Sequence, residues 1–274
     1  TIVVTIAGML LHNGLDFFGK LRRHYRRRGG GAGLAEPAEA PGDSQRFYLR
    51  MTLAERWQHG LLALSFIVLV YTGFALKFPD TWLFAWLTRL EHGYAWRSLI
   101  HRTAALVMVV AGLLHLIYLP SRRGRRLLAD MLPRVSDVRE AVQNVAYLLG
   151  IRGERPAFDR FSYIEKVEYW ALIWGSIVMA GTGFALWFEN RALQFVPKWV
   201  LDLATLVHYY EAWLATLAIL VWHFYYVIFS PDVYPMNWTW LTGRIPEEML
   251  SHEHPREYAR LQQGHPAQQE ETQA

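Results

Sequence analysis

The chain has 274 residues, of which 53% are hydrophobic and 15% aromatic. Its apolar residues form runs near the roughly 20 residues that a bilayer crossing needs, which excludes an ordinary soluble domain. The absence of cysteine excludes disulfides, iron–sulfur ligation and covalent c-type haem attachment by this chain, and the net charge of +4 comes with no nucleic-acid-binding motif.

Five apolar runs predict an all-α membrane protein with spans at about 1–18, 53–76, 99–119, 165–187 and 204–229. Of the 28 Lys and Arg residues, 22 lie in the segments 19–56 and 120–166 and in the tail after 231. By the positive-inside rule these segments are cytoplasmic, and the N-terminus faces outward.

The first run has neither a charged n-region nor a small-residue cleavage site, so it predicts a membrane helix and not an intact signal peptide. The Gly/Ala/Pro-rich stretch that follows predicts a flexible linker. We therefore divide the chain into an N-terminal helix with its basic stop, a linker, a bundle with a cytoplasmic segment at 120–163, and an interfacial stretch with a soluble tail: 1–28, 29–45, 46–230 and 231–274.

Two of the runs are repeats of one another. Residues 54–76 align with 164–186 at an offset of 110, and both end in Thr-Gly-Phe-Ala-Leu. The runs that follow them align through their histidines. A duplicated two-helix unit predicts an antiparallel transmembrane four-helix bundle, to which the first run adds one N-terminal transmembrane helix.

Histidines recur at matched spacing in this bundle, His101 with His115 and His208 with His223. At about 1.5 Å per residue the second pair spans roughly 22 Å, with side chains within roughly 60° of one another. One such histidine alone is more often a hydrogen-bonded core residue or a proton-relay group. Two matched pairs indicate two stacked haems, each ligated by one histidine from each helix. Zinc is disfavoured because it needs about four converging ligands.

Other residues lie beside these candidate ligands. Gly73 and Gly183 hold equal positions in the repeats, and indicate either close helix packing or room for a porphyrin face. Arg56 and Arg102 indicate either a membrane boundary or charge-assisted contacts to haem propionates.

Four sequence features are similar to the bacterial membrane cytochrome b family: ERWQHG at the start of the first bundle helix, TGFAL at its end, IHR in the next helix and the two histidines of the last. This family includes the gamma subunit of formate dehydrogenase and the cytochrome b subunit of nickel–iron hydrogenase. The resemblance covers roughly 46–240. It implies a four-helix bundle with two b haems, which exchanges electrons between a partner redox subunit and quinone.

Residue by residue, the resemblance implies that His101 and His208 bind the outer haem, and that His59 and His223 bind the inner one. His115 departs from the formate-dehydrogenase type, which uses one histidine on this helix. The respiratory bc-type cytochromes use two on each of two helices. His223 therefore pairs with either His59 or His115.

His12, in the first run, approaches the same cytoplasmic level under the predicted topology. One hypothesis is a third haem held by His12 and His115, with His59 and His223 holding the inner haem. The alternative is that one or both surplus histidines hydrogen-bond a propionate, a quinone or a backbone carbonyl.

These features predict an electron-transfer subunit of a respiratory oxidoreductase complex in the bacterial inner membrane, with two or three b haems. Its expected partners are quinone, the lipid bilayer and an iron–sulfur protein or multihaem cytochrome c. We expect the quinone site near the cytoplasmic face, among Tyr48, Glu55, Arg56 and His59; the alternative is that these residues only mark the membrane boundary. The alternatives are a stand-alone cytochrome b that reduces an external acceptor, and a haem-free membrane anchor or transporter.

Overall fold

The computed structural model describes residues 2–29 and 46–263, which are helical except for one two-stranded sheet and the connecting turns. Within them, five helices are long and apolar enough to cross a membrane: Ile2–Arg22, Leu53–Lys77, Gly93–Tyr118, Tyr163–Trp187 and Lys198–Phe229. The five predicted spans are therefore confirmed, with ends that differ from the predicted ones by a few residues.

The elements in chain order are α1 Ile2–Gly29, β1 Phe47–Leu49, α2 Leu53–Lys77, α3 Ala85–Thr88, α4 Gly93–Tyr118, α5 Arg122–Met131, α6 Val135–Leu148, α7 Tyr163–Trp187, α8 Glu189–Ala192, α9 Lys198–Ala218, α10 Thr239–Thr242, β2 Arg244–Pro246, α11 Glu247–Glu253 and α12 Pro255–Gln262. Helix α9 continues into two π-helical segments, Ile219–His223 and Tyr225–Phe229. A π-turn contains more residues than an α-turn, so side chains after Ala218 point in directions that α-helical periodicity does not predict.

The chain forms two compact units. The first comprises Thr1–Leu53, Ala129–Trp170 and Leu217–Ala274, and the second comprises Ala54–Leu128 and Ala171–Thr216. The predicted linker at 29–45 lies outside the described residues except for Gly29, and so does the end of the predicted tail after residue 263.

The second unit contains parts of all four bundle helices, and each packs on two others. The Phe74 ring of α2 lies 4.6 Å from the Trp213 ring of α9, measured between centroids. The Arg102 guanidinium of α4 lies over the Trp187 ring of α7 at 5.2 Å. The two remaining contacts, of α2 with α4 and of α7 with α9, each involve a histidine. The ring of helices is antiparallel, because the end of α2 meets the start of α4.

In the first unit, α6 has the reverse of the polarity found in a water-facing helix. Glu140 and Asn144 are buried, and Glu140 forms an ion pair with Arg256 at 2.8 Å. Asp137 likewise pairs with Lys166 at 2.7 Å. The outward face carries three exposed valines, Val135, Val138 and Val142. Helix α6 is therefore held to its unit by ion pairs and hydrogen bonds and not by an apolar stripe.

The start of the predicted tail is folded. Strand β2 pairs antiparallel with β1, with Tyr48 opposite Ile245. His254, to which the sequence assigned no role, is buried: its Nδ1 donates to the carbonyl of Asp159 at 2.8 Å, and its Nε2 accepts from Arg50 at 3.2 Å. A guanidinium only donates, so this imidazole is neutral, with its hydrogen on Nδ1.

Candidate functional site

The side chain of His101 in α4 is oriented by Thr72 in α2. Its Nδ1 lies 2.8 Å from Thr72 Oγ1, and the same hydroxyl lies 2.6 Å from the carbonyl oxygen of Val68. A hydroxyl has one hydrogen, and here it goes to the helix carbonyl, so Nδ1 of His101 is the donor. The other ring nitrogen, Nε2, then carries the lone pair that a metal requires.

The second half of the bundle repeats this arrangement. His208 Nδ1 in α9 lies 2.9 Å from Thr182 Oγ1 in α7, and that hydroxyl donates to the Val178 carbonyl at 2.7 Å. Thr72 and Thr182 are the threonines of the two Thr-Gly-Phe-Ala-Leu runs, at the repeat offset of 110. Both halves of the internal repeat thus preserve one specific contact. In each half, a threonine on the first helix sets the tautomer of the histidine on the second helix.

The glycines after these threonines lie against the imidazoles. A Cβ at Gly73 would lie 3.6 Å from Cε1 of His101, and one at Gly183 would lie 3.3 Å from Cε1 of His208. The smaller distance is tighter than an ordinary van der Waals contact. Close approach of an imidazole therefore accounts for Gly183, whereas a Cβ at Gly73 would make only an ordinary contact. A porphyrin face against them stays a prediction.

The histidines at the other ends of α4 and α9 are held in a parallel way. Nδ1 of His115 donates to Gln58 Oε1 at 2.9 Å, and Nδ1 of His223 lies 3.3 Å from Glu168 Oε2. Gln58 and Glu168 are again 110 residues apart. All four histidines therefore have Nδ1 bound to a partner on the neighbouring helix, which is the usual arrangement of an imidazole that binds metal through Nε2.

Arg97 is a further candidate that the sequence analysis missed. It lies on α4 one turn before His101 and donates from Nη1 to the carbonyl of Thr72 at 3.1 Å. Its Nε is buried, with no hydrogen-bond partner among the residues that the structure describes. A haem propionate is an anionic acceptor that could satisfy this donor, so the residues around His101 fit a haem. The i, i+4 spacing from His101 was the signal in the sequence.

The two arginines predicted from the sequence lie in different settings. Arg102 stacks on Trp187, where the start of α4 meets the end of α7. Arg56 is half-buried in the first turn of α2, three residues before the half-buried His59. Their contacts to propionates stay predictions.

Of the residues expected near quinone, Glu55 is already engaged. It accepts a hydrogen bond from the Tyr118 hydroxyl at 2.7 Å and pairs with Arg123 at 3.1 Å. Tyr48 lies in the first unit, where its hydroxyl is 3.4 Å from Glu247 Oε1. Glu55 therefore belongs to a cluster with Tyr118 and Arg123 at the basic end of the bundle.

His12 uses both ring nitrogens in hydrogen bonds. Nε2 lies 2.7 Å from the Tyr163 hydroxyl and Nδ1 lies 3.1 Å from the Tyr226 hydroxyl. Asn144 donates to the same Tyr163 hydroxyl at 3.0 Å. A haem on His12 would have to replace one of these bonds, and the third haem stays a prediction.

His12 begins a buried polar stripe along α1 that the sequence analysis did not single out. Asp16 accepts from the Tyr225 hydroxyl at 2.7 Å and pairs with Lys20 at 3.0 Å, while Lys20 also pairs with Asp232 at 2.8 Å. Apolar residues of α1 such as Val3 and Leu11 are exposed. This polarity suits a helix that faces lipid on one side and protein on the other.

Comparison with known proteins agrees with this geometry. A family model described as prokaryotic cytochrome b561 matches residues 50–235, which include all the bundle histidines. The chain is also 27% identical over 179 residues to the formate dehydrogenase cytochrome b556 subunit of Haemophilus influenzae, a match that covers 65% of this chain and 69% of that protein. With five spanning helices and this match, the protein is a multi-pass bacterial membrane cytochrome b with haem b as its cofactor, and the chain belongs to the prokaryotic cytochrome b561 family.

Proposed function

We propose that this chain passes electrons across the bacterial inner membrane through two stacked bis-histidine b haems, between a partner redox subunit and the quinone pool. The observation that carries the proposal is the threonine-to-histidine contact that occurs once in each half of the bundle. A histidine that only stabilises packing does not need an equivalent threonine-bound histidine in the other half of the bundle. A haem ligated from two helices needs two imidazoles with the same free nitrogen.

For the outer haem, the proposed ligands are Nε2 of His101 and Nε2 of His208. When bound, haem iron accepts and releases one electron at a time. Thr72 and Thr182 hold the two imidazoles in the required tautomer, and Arg97 neutralises a propionate.

For the inner haem, His223 is one proposed ligand and the second is open between two residues. The family resemblance favours His59. The internal repeat favours His115, because Gln58 holds His115 as Glu168 holds His223. Haem content and the spectrum of the low-spin centres in His59→Ala and His115→Ala decide between them, since only loss of the true ligand removes the inner haem.

The partner is proposed by class. The relative from Haemophilus influenzae is named as a subunit of formate dehydrogenase, so it belongs to a membrane redox enzyme. We infer a similar assembly for this chain, with an iron–sulfur protein or a multihaem cytochrome c as the neighbouring electron carrier. Co-purification of such a subunit supports this assembly, and a chain that reduces an external acceptor without one supports the stand-alone cytochrome instead.

We place the basic segments, the C-terminal region and the quinone site on the cytoplasmic side. The chain has no cysteine, so single cysteines can report on sidedness without a background. Val138→Cys and Trp82→Cys introduce thiols at exposed positions in α6 and in the loop before α3. We expect an impermeant maleimide to label the first from the cytoplasmic side and the second from the outside. The reverse pattern would invert the topology and move the quinone site with it.

The main test is haem content per chain. We expect purified protein to show the bands of low-spin bis-histidine haem, with two b haems by pyridine haemochrome analysis. His208→Ala should remove one and leave the other. A colourless preparation would reject the proposal, and unchanged haem content in His208→Ala would reject the outer pairing. Three haems, falling to two in His12→Ala, would establish the third site.

A further inference from the structure

One charged residue of the bundle has no role in the proposed haem sites. Glu211 lies on α9 three residues after His208, about 4.5 Å further along the helix axis. The neighbouring stretches of the second unit, 61–70, 103–114 and 171–181, contain no Asp, Glu, Lys or Arg. Ionisable residues inside membrane helices are costly and usually functional.

The carboxyl group of Glu211 faces the adjacent helix α7. Its Oε1 lies 3.0 Å from the position that a Cβ on Gly175 would occupy, so the glycine makes room for it. Across the described residues, Glu211 forms neither an ion pair nor a hydrogen bond through its side chain. It is a half-buried carboxyl inside a membrane helix, and no charged group among the described residues compensates it.

The internal repeat shows that this carboxyl is not needed for the bundle to pack. By the alignment of the two halves, Glu211 corresponds to Ala104, and Gly175 corresponds to Ser65. Ala104 and Ser65 are both buried. One half of the duplicated unit thus packs with a small apolar residue where the other has an acid and a glycine that accommodates it. The acidic residue therefore occurs only in the half of the repeat that contains His208.

The charged and titratable groups on the surrounding helices are engaged elsewhere. Helix α7 has none from residue 171 to residue 187. On α4, Arg97 donates to the Thr72 carbonyl, His101 bonds to the Thr72 hydroxyl and Arg102 stacks on Trp187. On α2, Lys77 lies over the Tyr209 ring and Tyr71 donates to the Leu83 carbonyl. None of them forms an ion pair with Glu211.

We propose that Glu211 is a redox-linked proton site, which binds one proton when the haem held by His101 and His208 is reduced and releases it when that haem is oxidised. The inference rests on the proposed function. In the forward step one electron arrives from the quinol pool or the partner subunit, and one proton from the aqueous phase converts the carboxylate to a carboxylic acid. In this low-dielectric interior the added electron and an adjacent carboxylate repel strongly, so proton uptake relieves the repulsion.

The proposal is tested by redox titration of the haem-loaded chain in lipid nanodiscs at several pH values. We expect the potential of the outer haem to fall as pH rises, towards the limit of about 59 mV per tenfold change in proton concentration for a one-electron couple. Glu211→Gln, which has the same shape and cannot titrate, should make this potential nearly independent of pH. Glu211→Asp should restore part of the dependence. Glu189→Gln, which removes an exposed carboxyl at the outer end, is the matched control and should behave like the native chain.

Redox difference infrared spectroscopy gives a second readout that needs no turnover. On reduction, the native chain should gain a carboxylic C=O stretching band, which Glu211→Gln lacks and Glu189→Gln retains. An outer-haem potential without pH dependence in the native chain, or a dependence and a band that survive in Glu211→Gln, would overturn the proposal while leaving the haem assignment intact. A native chain with no low-spin haem would instead reject the proposed function itself.

Discussion

The Thr182 hydroxyl accepts a hydrogen bond from Nδ1 of His208 at 2.9 Å, while giving its own hydrogen to a carbonyl of its helix. Thr72 and His101 repeat the contact at 2.8 Å. A short side chain on one helix thus decides which nitrogen of an imidazole on the next helix is available for iron. This relationship leads to the first two predictions.

Removing the threonine hydroxyl should weaken the outer haem site without unfolding the bundle. Thr182→Val keeps the shape of the side chain and deletes the acceptor, so the His208 ring loses its fixed tautomer and orientation. Loss of such a supporting contact typically costs about 10–100-fold in metal affinity. Haem affinity of the reconstituted protein measures the effect. The control is Thr205→Val, because within the described part of the chain the Thr205 hydroxyl bonds only to the Leu201 carbonyl of its own helix. Equal effects in the two variants would contradict the prediction.

Adding one methyl group at the paired glycines should give graded effects. Gly183→Ala places a Cβ 3.3 Å from His208 Cε1 and forces the imidazole to move, whereas Gly73→Ala meets His101 at an ordinary 3.6 Å. Haem retention should therefore fall more in the first variant than in the second. Gly181→Ala is the control, since its Cβ would meet nothing within 4 Å. The prediction fails if Gly181→Ala loses as much haem as Gly183→Ala.

The ion pair between Glu140 and Arg256 should respond asymmetrically to mutation. Arg256→Ala leaves the carboxylate of Glu140, whose side chain is only 8% exposed, without its partner. This should lower the free energy of unfolding by about 1–3 kcal/mol. Glu140→Gln leaves an arginine that is 53% exposed and can turn to water, so it should cost less, below about 1 kcal/mol.

Thermal unfolding in detergent measures both variants. The double variant provides the check, because Glu140→Gln in the Arg256→Ala background removes the unpaired charge and should recover stability. A double variant less stable than Arg256→Ala alone would show that the charge is not the cause.

The stability of the first unit should depend on His254. Burial, together with the nearby guanidinium of Arg50, lowers the pKa of His254 from its ordinary 6.5. The unfolded chain therefore binds a proton at a pH where the folded chain does not, so stability is full above about 6.5 and is lost as pH falls below it. His254→Asn removes the titratable imidazole. The melting temperature of this variant should therefore fall less steeply than that of the native chain between about pH 7 and 5. A variant whose melting temperature keeps the native slope over this range would contradict the prediction.

Much of the architecture could be predicted from the sequence because it depends on local periodicity. Spans follow from runs of apolar residues, and the two-helix repeat follows from an offset that can be counted. The spacing of His101 and His115 on α4 follows from the fixed rise per residue, whereas His223 lies in a π-helical turn that this rise does not describe. These properties belong to single helices, so the five spans and the resemblance to the membrane cytochrome b family follow from the sequence alone.

Only the tertiary structure decided which atoms meet across helices. The sequence analysis assigned no role to Thr72 and Thr182, which contact His101 and His208. It likewise assigned none to Arg97, Gln58 and Glu168. The burial of His254 against Asp159 and Arg50, and the π-turns before and after Phe224, were equally unpredicted. Hydrophobic periodicity reports which face of a helix is buried, but the partner of a polar atom depends on the rotation and register of a second helix. Those are set by the packing of the whole bundle, which no single run of residues encodes.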